Sequence, residues 1–200
     1  MSSEDIRRKI IENTKQILKE NSQITIKSIA DKSCVNIAAV NYHFGSKDHL
    51  MQIVVSEILD EVKAYILNEQ FFTTDQITFE NKLEMMIEYL YNFALENIGL
   101  LNYLFLSNEL QKDTTNLIVK EFFTDNDFTR QVYTSLSERT KIMNPTQLQA
   151  KYMVLFSSFC IPLFIQISQA KLSNSMKLDI FKSEEFRKYF IKDIMKMIEA

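Results

Sequence analysis

The side chains that most often carry catalysis or bind metals are scarce in this sequence. It contains two cysteines, Cys34 and Cys160, and two histidines, His43 and His49, among 200 residues. These four cannot form a disulfide framework or a zinc cluster, and no set of nucleophile, base and acid accompanies them. The two glycines are too few for a loop that cradles phosphates. We therefore expect no enzyme activity, no cofactor and no metal.

A different chemistry is available on a short predicted helix between residues 37 and 44. Its apolar underside would consist of Val35, Val40 and Phe44. Its outer face would consist of Ala38, Ala39, Asn41 and Tyr42. The major groove of DNA accepts a helix with a fixed underside and an unobstructed outer face, and base edges there present distinguishable donors and acceptors.

Capping residues predict the helices that would position this face. Thr25 and Asn36 are good N-caps for two short helices, and Gly45 is placed to end the second one. A longer helix after Ser2 precedes this pair, and another after Ser46 follows it. Two short helices joined by a tight turn and braced by longer ones predict a helix-turn-helix.

The run from Ile29 to Lys47 closely resembles the DNA-binding signature of the tetracycline-repressor (TetR) family, and the similar region covers about residues 4–60. The stretch from Val40 to Lys47 is its most specific part. The family usually has a glycine where this chain has Cys34, so Cys34 must tolerate a left-handed backbone or the turn is shaped differently. We interpret its side chain as a small buried hydrophobe and not as a redox sensor.

The resemblance implies an all-α fold of about nine helices. Residues 1–47 would form a three-helix helix-turn-helix DNA-binding domain. Residues 48–200 would form a larger helical domain for ligand binding and dimerisation. The charge distribution is compatible with this division, because residues 1–50 hold eight Lys/Arg and six Asp/Glu, whereas residues 51–200 hold fifteen and twenty.

The resemblance also implies which positions face the DNA. They are Thr25, Lys27, Asn36, Ile37, Ala38, Ala39, Asn41, Tyr42, His43 and Lys47. Lys47 and the amides at the start of the following helix can hold a phosphate, and Asn41 can read adenine. The set contains no arginine, so we expect specificity to depend on shape and apolar contact more than on bidentate recognition of guanine. We interpret His49 as a solvated helix residue.

The remaining sequence predicts further helices and no strand. Gly99 is expected to separate two of them. A helix from Thr114 to about Arg139 has a polar stretch at residues 124–127 that could break it. Pro145 is placed to begin another helix, which Pro162 should kink.

Large, soft side chains are concentrated in residues 80–170. Each of them could belong to an ordinary core, whereas the family resemblance implies an apolar pocket for a largely apolar or aromatic ligand. The candidate pocket residues are Met86, Tyr89, Phe93, Tyr103, Phe122, Tyr133 and Phe156.

The predicted helix from Gln147 to Ala170 is apolar nearly all round and should be buried on more than one side. The resemblance implies that this helix and the last one, Glu184 to Glu199, meet their copies across a two-fold axis in a homodimer. The candidate interface residues are Tyr152, Phe156, Phe159, Leu163, Phe186, Phe190 and Ile194.

These patterns together predict a DNA-binding transcription regulator. We expect a double-stranded operator and a second copy of the chain as partners, a cytoplasmic location, and no membrane, because the apolar stretches fall short of the roughly 20 residues that a span needs. A small-molecule effector would release a repressor from its operator. The alternative is a regulator without such a ligand, controlled by a protein partner.

Overall fold

The computed structural model describes residues 2–21, 23–67, 77–106, 114–169 and 183–199. Within these residues it contains ten α-helices and no strand, which confirms the predicted all-α fold. The helices are α1 (Ser3–Glu20), α2 (Ile26–Ser33), α3 (Ile37–Phe44), α4 (Lys47–Leu67), α5 (Phe79–Glu96), α6 (Ile98–Leu106), α7 (Thr114–Phe123), α8 (Asp127–Thr140), α9 (Pro145–Gln169) and α10 (Glu184–Glu199).

The helices are grouped in two compact units. The first comprises Met1–Lys63 and Glu96–Glu121, and the second comprises Ala64–Leu95 and Phe122–Ala200. α4 contributes residues to both units. These units are not the predicted domains, residues 1–47 for DNA binding and residues 48–200 for ligand binding and dimerisation. That division by function stays a prediction.

The core of the first unit is formed by apolar side chains at helical spacing on α1 and α4. It includes Ile10, Ile11, Leu18, Leu50, Met51, Val54, Val55 and Ile58. The two longer helices predicted on either side of the short pair are confirmed. Burying such side chains stabilises the fold by about 1.5–3 kcal/mol each.

Ion pairs join the same two helices. The Lys15 side chain is nearly buried, and its Nζ lies 2.9 Å from a Glu57 carboxylate oxygen and 2.8 Å from one of Glu61. Burial acts to lower the pKa of Lys15, but the hydrogen bonds to Glu61 and Glu57 raise it, and the net shift is upward. Farther along α4, Lys63 forms an ion pair with Glu121 of α7 in which both side chains are largely buried. These pairs fix α4, the helix that follows the predicted helix-turn-helix.

One predicted helix boundary differs from the structure. Gly99 lies inside α6 and is buried, so the prediction that it separates two helices is wrong. The separation falls at Asn97, whose backbone oxygen accepts the first bond of α6 from the Leu101 amide at 3.1 Å. A single helical glycine costs only about 1 kcal/mol, which packing against a neighbour can offset.

The polar stretch at residues 124–127 does break the helix, and this explains why ten helices are observed and about nine were predicted. The Asn126 side chain accepts a hydrogen bond from the Thr129 amide at 3.0 Å, while Thr129 Oγ1 accepts from the Asn126 amide at 3.1 Å. This reciprocal capping box begins α8.

The core of the second unit is rich in aromatic rings. The Tyr152 hydroxyl donates a 2.7 Å hydrogen bond to the Phe122 backbone oxygen, and the Phe123 and Phe156 rings lie 4.6 Å apart in an edge contact. Burial raises the pKa of Tyr152, so its hydroxyl stays protonated as a donor. The rings therefore connect the end of α7 to α9.

α9 begins at Pro145, as predicted, and contains Pro162. Much of its surface is exposed in a single chain, so the predicted burial on several sides is not provided by this chain's own described residues. Its stretch Pro145–Ile165 is, among the described residues, the one helix whose length and composition would permit a membrane crossing, so the prediction that every apolar stretch is too short for a span is wrong. That is weak support for a membrane span, because core and interface helices of soluble proteins share those properties.

Candidate nucleic-acid interface

α2 is fixed at its first turn by a reciprocal cap. Thr25 Oγ1 accepts a hydrogen bond from the Ser28 amide at 3.0 Å, and Ser28 Oγ accepts one from the Thr25 amide at 3.1 Å. The predicted N-cap is confirmed. Thr25 and Lys27 are exposed at this end of the helix, where amide groups and the helix dipole favour an anion.

The turn between α2 and α3 is made by Cys34, with φ 53° and ψ 44°. This is the left-handed backbone, the first of the two alternatives that the sequence left open, and the amide of the next residue, Val35, donates to the Ala30 oxygen at 3.0 Å. The prediction that the thiol is buried is wrong, because the side chain of Cys34 is exposed. Cys34 is exposed because it ends α2 at a turn, and turns of this kind lie at the surface.

α3 begins and ends where the sequence predicted. Asn36 Oδ1 accepts a hydrogen bond from the Ala39 amide at 2.7 Å, which caps the helix. Gly45 ends it with a φ of 72°, and its amide donates to the Asn41 oxygen at 2.8 Å. A positive φ of this kind favours glycine.

The underside of α3 is buried. Val40 and Phe44 are 1% and 2% exposed, and Val35 is half-buried. The Arg7 guanidinium of α1 lies 5.3 Å from the centre of the Phe44 ring. This cation–π contact braces α3 from below and was not predicted, because no sequence signal pairs a residue on one helix with a ring 37 positions away.

The opposite side of α3 faces solvent. Tyr42 is 82% exposed and Ile37 is 46% exposed. Ala38 and Asn41 are also exposed, while Ala39 is half-buried. The outward face is thus free of obstruction by this chain's described residues.

The partly buried His43 lies between the two sides of α3. Its ring makes an edge contact with the Tyr42 ring at 5.2 Å and lies 6.2 Å from the Phe44 ring. His43 therefore has a packing role in addition to its predicted place among the DNA-facing residues.

Lys47 joins the motif's two ends. Its Nζ donates a 3.0 Å hydrogen bond to the Ile24 backbone oxygen, which precedes α2. Lys47 thus lies beside the start of α2 although 23 positions separate the two residues. At the start of α4, Ser46 Oγ accepts from the His49 amide at 3.1 Å, as predicted for a cap. His49 is exposed, yet its Nδ1 also lies 3.0 Å from the Phe44 oxygen, so it is tied to the end of α3 as well as solvated.

All ten predicted DNA-facing residues therefore occupy one continuous part of the first unit, from the start of α2 to the start of α4. Exposed members lie on α2 and on the outward face of α3, and the cationic Lys47 lies between the two helix starts. This arrangement offers hydrogen-bond donors to phosphates and a small-residue face to a groove.

The candidate pocket residues are divided between the units. Tyr103 is buried in the first unit, and the other six belong to the second. Tyr89 stacks on Tyr65 with ring centres 3.5 Å apart, and Phe93 follows at 6.2 Å. Met86 is half-buried on the same helix. That these residues bind a ligand stays a prediction.

A second aromatic group in the same unit contains the remaining candidates. The Phe122 and Phe156 ring centres lie 5.5 Å apart, and Tyr133 meets Tyr152 at 5.3 Å. Cys160 is also enclosed in this unit, and burial raises its pKa to about 11. Its thiol therefore stays protonated at neutral pH and is a poor nucleophile.

The candidate interface residues differ in how accessible they are. Tyr152 and Ile194 are only 3% and 1% exposed within a single chain, so their side chains pack inside it. The others are half-buried, namely Phe156, Phe159, Leu163, Phe186 and Phe190. On α10 the inward stripe is Ile191, Ile194 and Ile198, with the Phe186 and Phe190 rings 5.6 Å apart beside it.

No protein-family model matches this sequence, and no curated protein matches it. Solved structures do share its fold. One is described as a TetR-family transcriptional regulator from Streptomyces coelicolor, with 15% identity, a TM-score of 0.70, and coverage of 98% of this chain and 82% of that one. Another, described as a TetR-family regulator from Mesorhizobium loti MAFF303099, has 18% identity, a TM-score of 0.63, and coverage of 100% and 96%.

A third structure, described as a TetR-family regulator from Vibrio parahaemolyticus, has 14% identity, a TM-score of 0.61, and coverage of 96% of this chain and 98% of that one. The alignments extend over nearly the whole of this chain, well beyond the motif that carries the sequence resemblance. At 14–18% sequence identity, the comparison establishes the fold alone. The chain has the all-helical fold of TetR-family transcriptional regulators.

Proposed function

We propose that this protein is a DNA-binding transcription regulator and not an enzyme. The observation that carries the proposal is the two-sidedness of α3, whose underside is sealed by Val40 and Phe44 while Tyr42 is 82% exposed on the other side. Such a helix holds a fixed angle and can still enter the major groove. The fold shared with described regulators supports the same reading.

In the proposed complex, α3 lies in the major groove and α2 crosses the phosphate backbone. Thr25, Lys27 and the first amides of α2 contact one phosphate region, and Lys47 with the start of α4 contacts another. The hydrogen bond from Lys47 to the Ile24 oxygen holds the ammonium group at the edge of this surface. These contacts fix the orientation in which Asn41 reaches base edges.

We propose that the chain acts as a homodimer through α9 and α10. Exposed apolar side chains on α9 support this, because Met153 is 51% exposed, Ile161 59% and Phe164 42% in a single chain. A second copy of the same helix would cover them across a two-fold axis. The buried Tyr152 and Ile194 would then support the interface from below, and the half-buried candidate residues would border it. Two heads would contact half-sites about 34–36 Å apart.

We further propose a repressor that acts in the cytoplasm and leaves its operator when a largely apolar or aromatic ligand binds. The aromatic and methionine side chains of the second unit suit such a ligand. α4 is the helix that would transmit the change. It begins at Lys47, and near its other end Tyr65 stacks on Tyr89. A small shift of α4 would change how the two heads fit successive grooves. Thermal-shift screening with apolar compounds distinguishes this from control by a protein partner, which predicts no shift with any compound.

Titration of DNA affinity with salt tests the central proposal. Fluorescence anisotropy with a labelled random-sequence duplex should give an association constant that falls steeply with rising salt, because phosphate contacts release counterions. Lys27→Ala should make the log–log slope shallower by about one. The control Lys19→Ala removes the same charge from an exposed position of α1 outside the proposed surface and should leave the slope nearly unchanged. A slope near zero for the unmodified protein would overturn the proposal.

A further inference from the structure

The outward face of α3 combines the apolar side chains of its first turn with the amide of Asn41 and the phenol of Tyr42. The helix, Ile37–Phe44, contains no lysine, arginine, aspartate, glutamate or glutamine. Ile37 is 46% exposed in its first turn, and Ala38 beside it is exposed. Asn41 lies one turn after Ile37, so the two side chains are neighbours along one edge of the helix.

The chemistry of the major groove limits what such a face can recognise. Guanine is read by cationic side chains and cytosine by acidic ones, whereas asparagine pairs with adenine. Thymine alone among the four bases presents a methyl group there. An isoleucine side chain placed against guanine acceptors would remove water from them and offer no hydrogen bond in return.

We propose that this protein recognises half-sites in which thymine methyl groups meet Ile37 and Ala38 and an adenine meets Asn41. This rests on the proposed function and adds the class of base pair that the same surface selects. Ile37 is the specificity-determining residue of the set, because it presents the largest apolar area at the end of α3 that enters the groove.

The local structure makes Ile37 suited to this role. Its branched side chain has few rotamers, so its methyl groups hold a defined position. The preceding residue, Asn36, uses its side-chain oxygen to cap the Ala39 amide at 2.7 Å, which keeps it at the helix start and fixes the backbone under Ile37. Few atoms need to be ordered when the DNA binds, and the apolar contact therefore adds to affinity with little entropic cost.

The experiment replaces single thymines by deoxyuridine, which lacks only the methyl group. Purified full-length protein first selects binding sites from a duplex pool with a randomised centre, and the selected duplex is then synthesised with one thymine at a time replaced. At contacted positions we expect the dissociation constant to rise about fourfold per methyl, as the removal of one buried methyl group implies. Replacement outside the half-sites should change it little.

The variant Ile37→Ala assigns the effect to this side chain. Alanine suits an exposed helix position, so folding should be retained. Circular dichroism and the melting temperature are the checks of folding. In this variant the uridine effect should disappear at one position in each half-site. The control Val119→Ala trims a 50% exposed residue of α7 and should retain the full uridine effect.

Three results would overturn the inference. They are selected half-sites dominated by G·C pairs, affinities equal for thymine and uridine duplexes, and an unchanged uridine effect in Ile37→Ala. If salt-dependent binding persists in those cases, the proposed DNA-binding function stands and only the thymine inference fails. If no duplex binds at any salt concentration, both fail.

Discussion

Replacing Cys34 by glycine should stabilise the protein. Cys34 holds φ 53° and ψ 44° at the end of α2, a left-handed conformation in which its Cβ crowds the backbone. Its side chain is exposed, so truncation removes no buried contact. The effect of Cys34→Gly is therefore set almost entirely by the backbone.

Two opposing terms determine its size. A left-handed residue with a side chain costs about 1–2 kcal/mol, which glycine avoids. Glycine in turn loses about 0.5–1 kcal/mol more conformational freedom on folding. At the middle of both ranges the difference favours Cys34→Gly by about 0.8 kcal/mol, or about 1.5–3 °C in melting temperature for a chain of this length.

Thermal and urea unfolding at one fixed protein concentration measure the effect. Cys34→Ala is the matched control, because it removes the thiol but keeps the Cβ and should gain nothing. Lys141, with φ 60° at the end of α8, offers the same comparison in the second unit. A Cys34→Gly protein that unfolds at or below the midpoint of Cys34→Ala would show that the turn is not strained.

Three further substitutions test the packing of the two units. Ser33→Ala should raise the free energy of unfolding by about 1 kcal/mol, because Ser33 Oγ is buried without a hydrogen-bond partner among the described residues; equal or lower stability in urea unfolding would contradict this. Tyr152→Phe should lower it by about 1 kcal/mol through loss of the bond to the Phe122 oxygen, while the exposed Tyr189→Phe should have no effect. The pKa of Lys15 is raised above its ordinary value of 10.5 in the folded protein, so its charge stabilises fully below pH 10.5 and this contribution is lost as the pH rises further. The stability advantage over Lys15→Met should accordingly be constant from pH 7 to 9 and shrink only in more alkaline solution; a loss that begins near neutral pH would contradict the shift.

The helix-turn-helix was predictable because its determinants are local. Thr25, Asn36 and Gly45 each act within four residues of their own position, and the structure shows the cap or turn expected of each. The left-handed backbone at Cys34 is one of the two alternatives that the family resemblance left open at this position. The alternation of buried and exposed residues on α3 needed only the helical period.

The predictions that failed depended on contacts distant in sequence. The sequence predicts a helix end at Gly99, but this glycine lies inside α6 and is buried in the first unit. Which residues of α10 are buried also depends on the neighbours of this helix, and they are Ile191, Ile194 and Ile198. Local patterns likewise do not encode that Tyr103 lies in the first unit while the other six pocket candidates lie in the second.

The central claim is that the exposed side of α3 meets duplex DNA, and Tyr42 is its most exposed member at 82%. The most direct measurement is the affinity of the Tyr42→Ala protein for the selected duplex, compared with that of the unmodified protein at the same salt concentration and with equal melting temperatures. The account predicts a dissociation constant about 5-fold to 150-fold higher for Tyr42→Ala, since a lost phosphate or base contact is worth about 1–3 kcal/mol. Equal affinity of two equally folded proteins would contradict it.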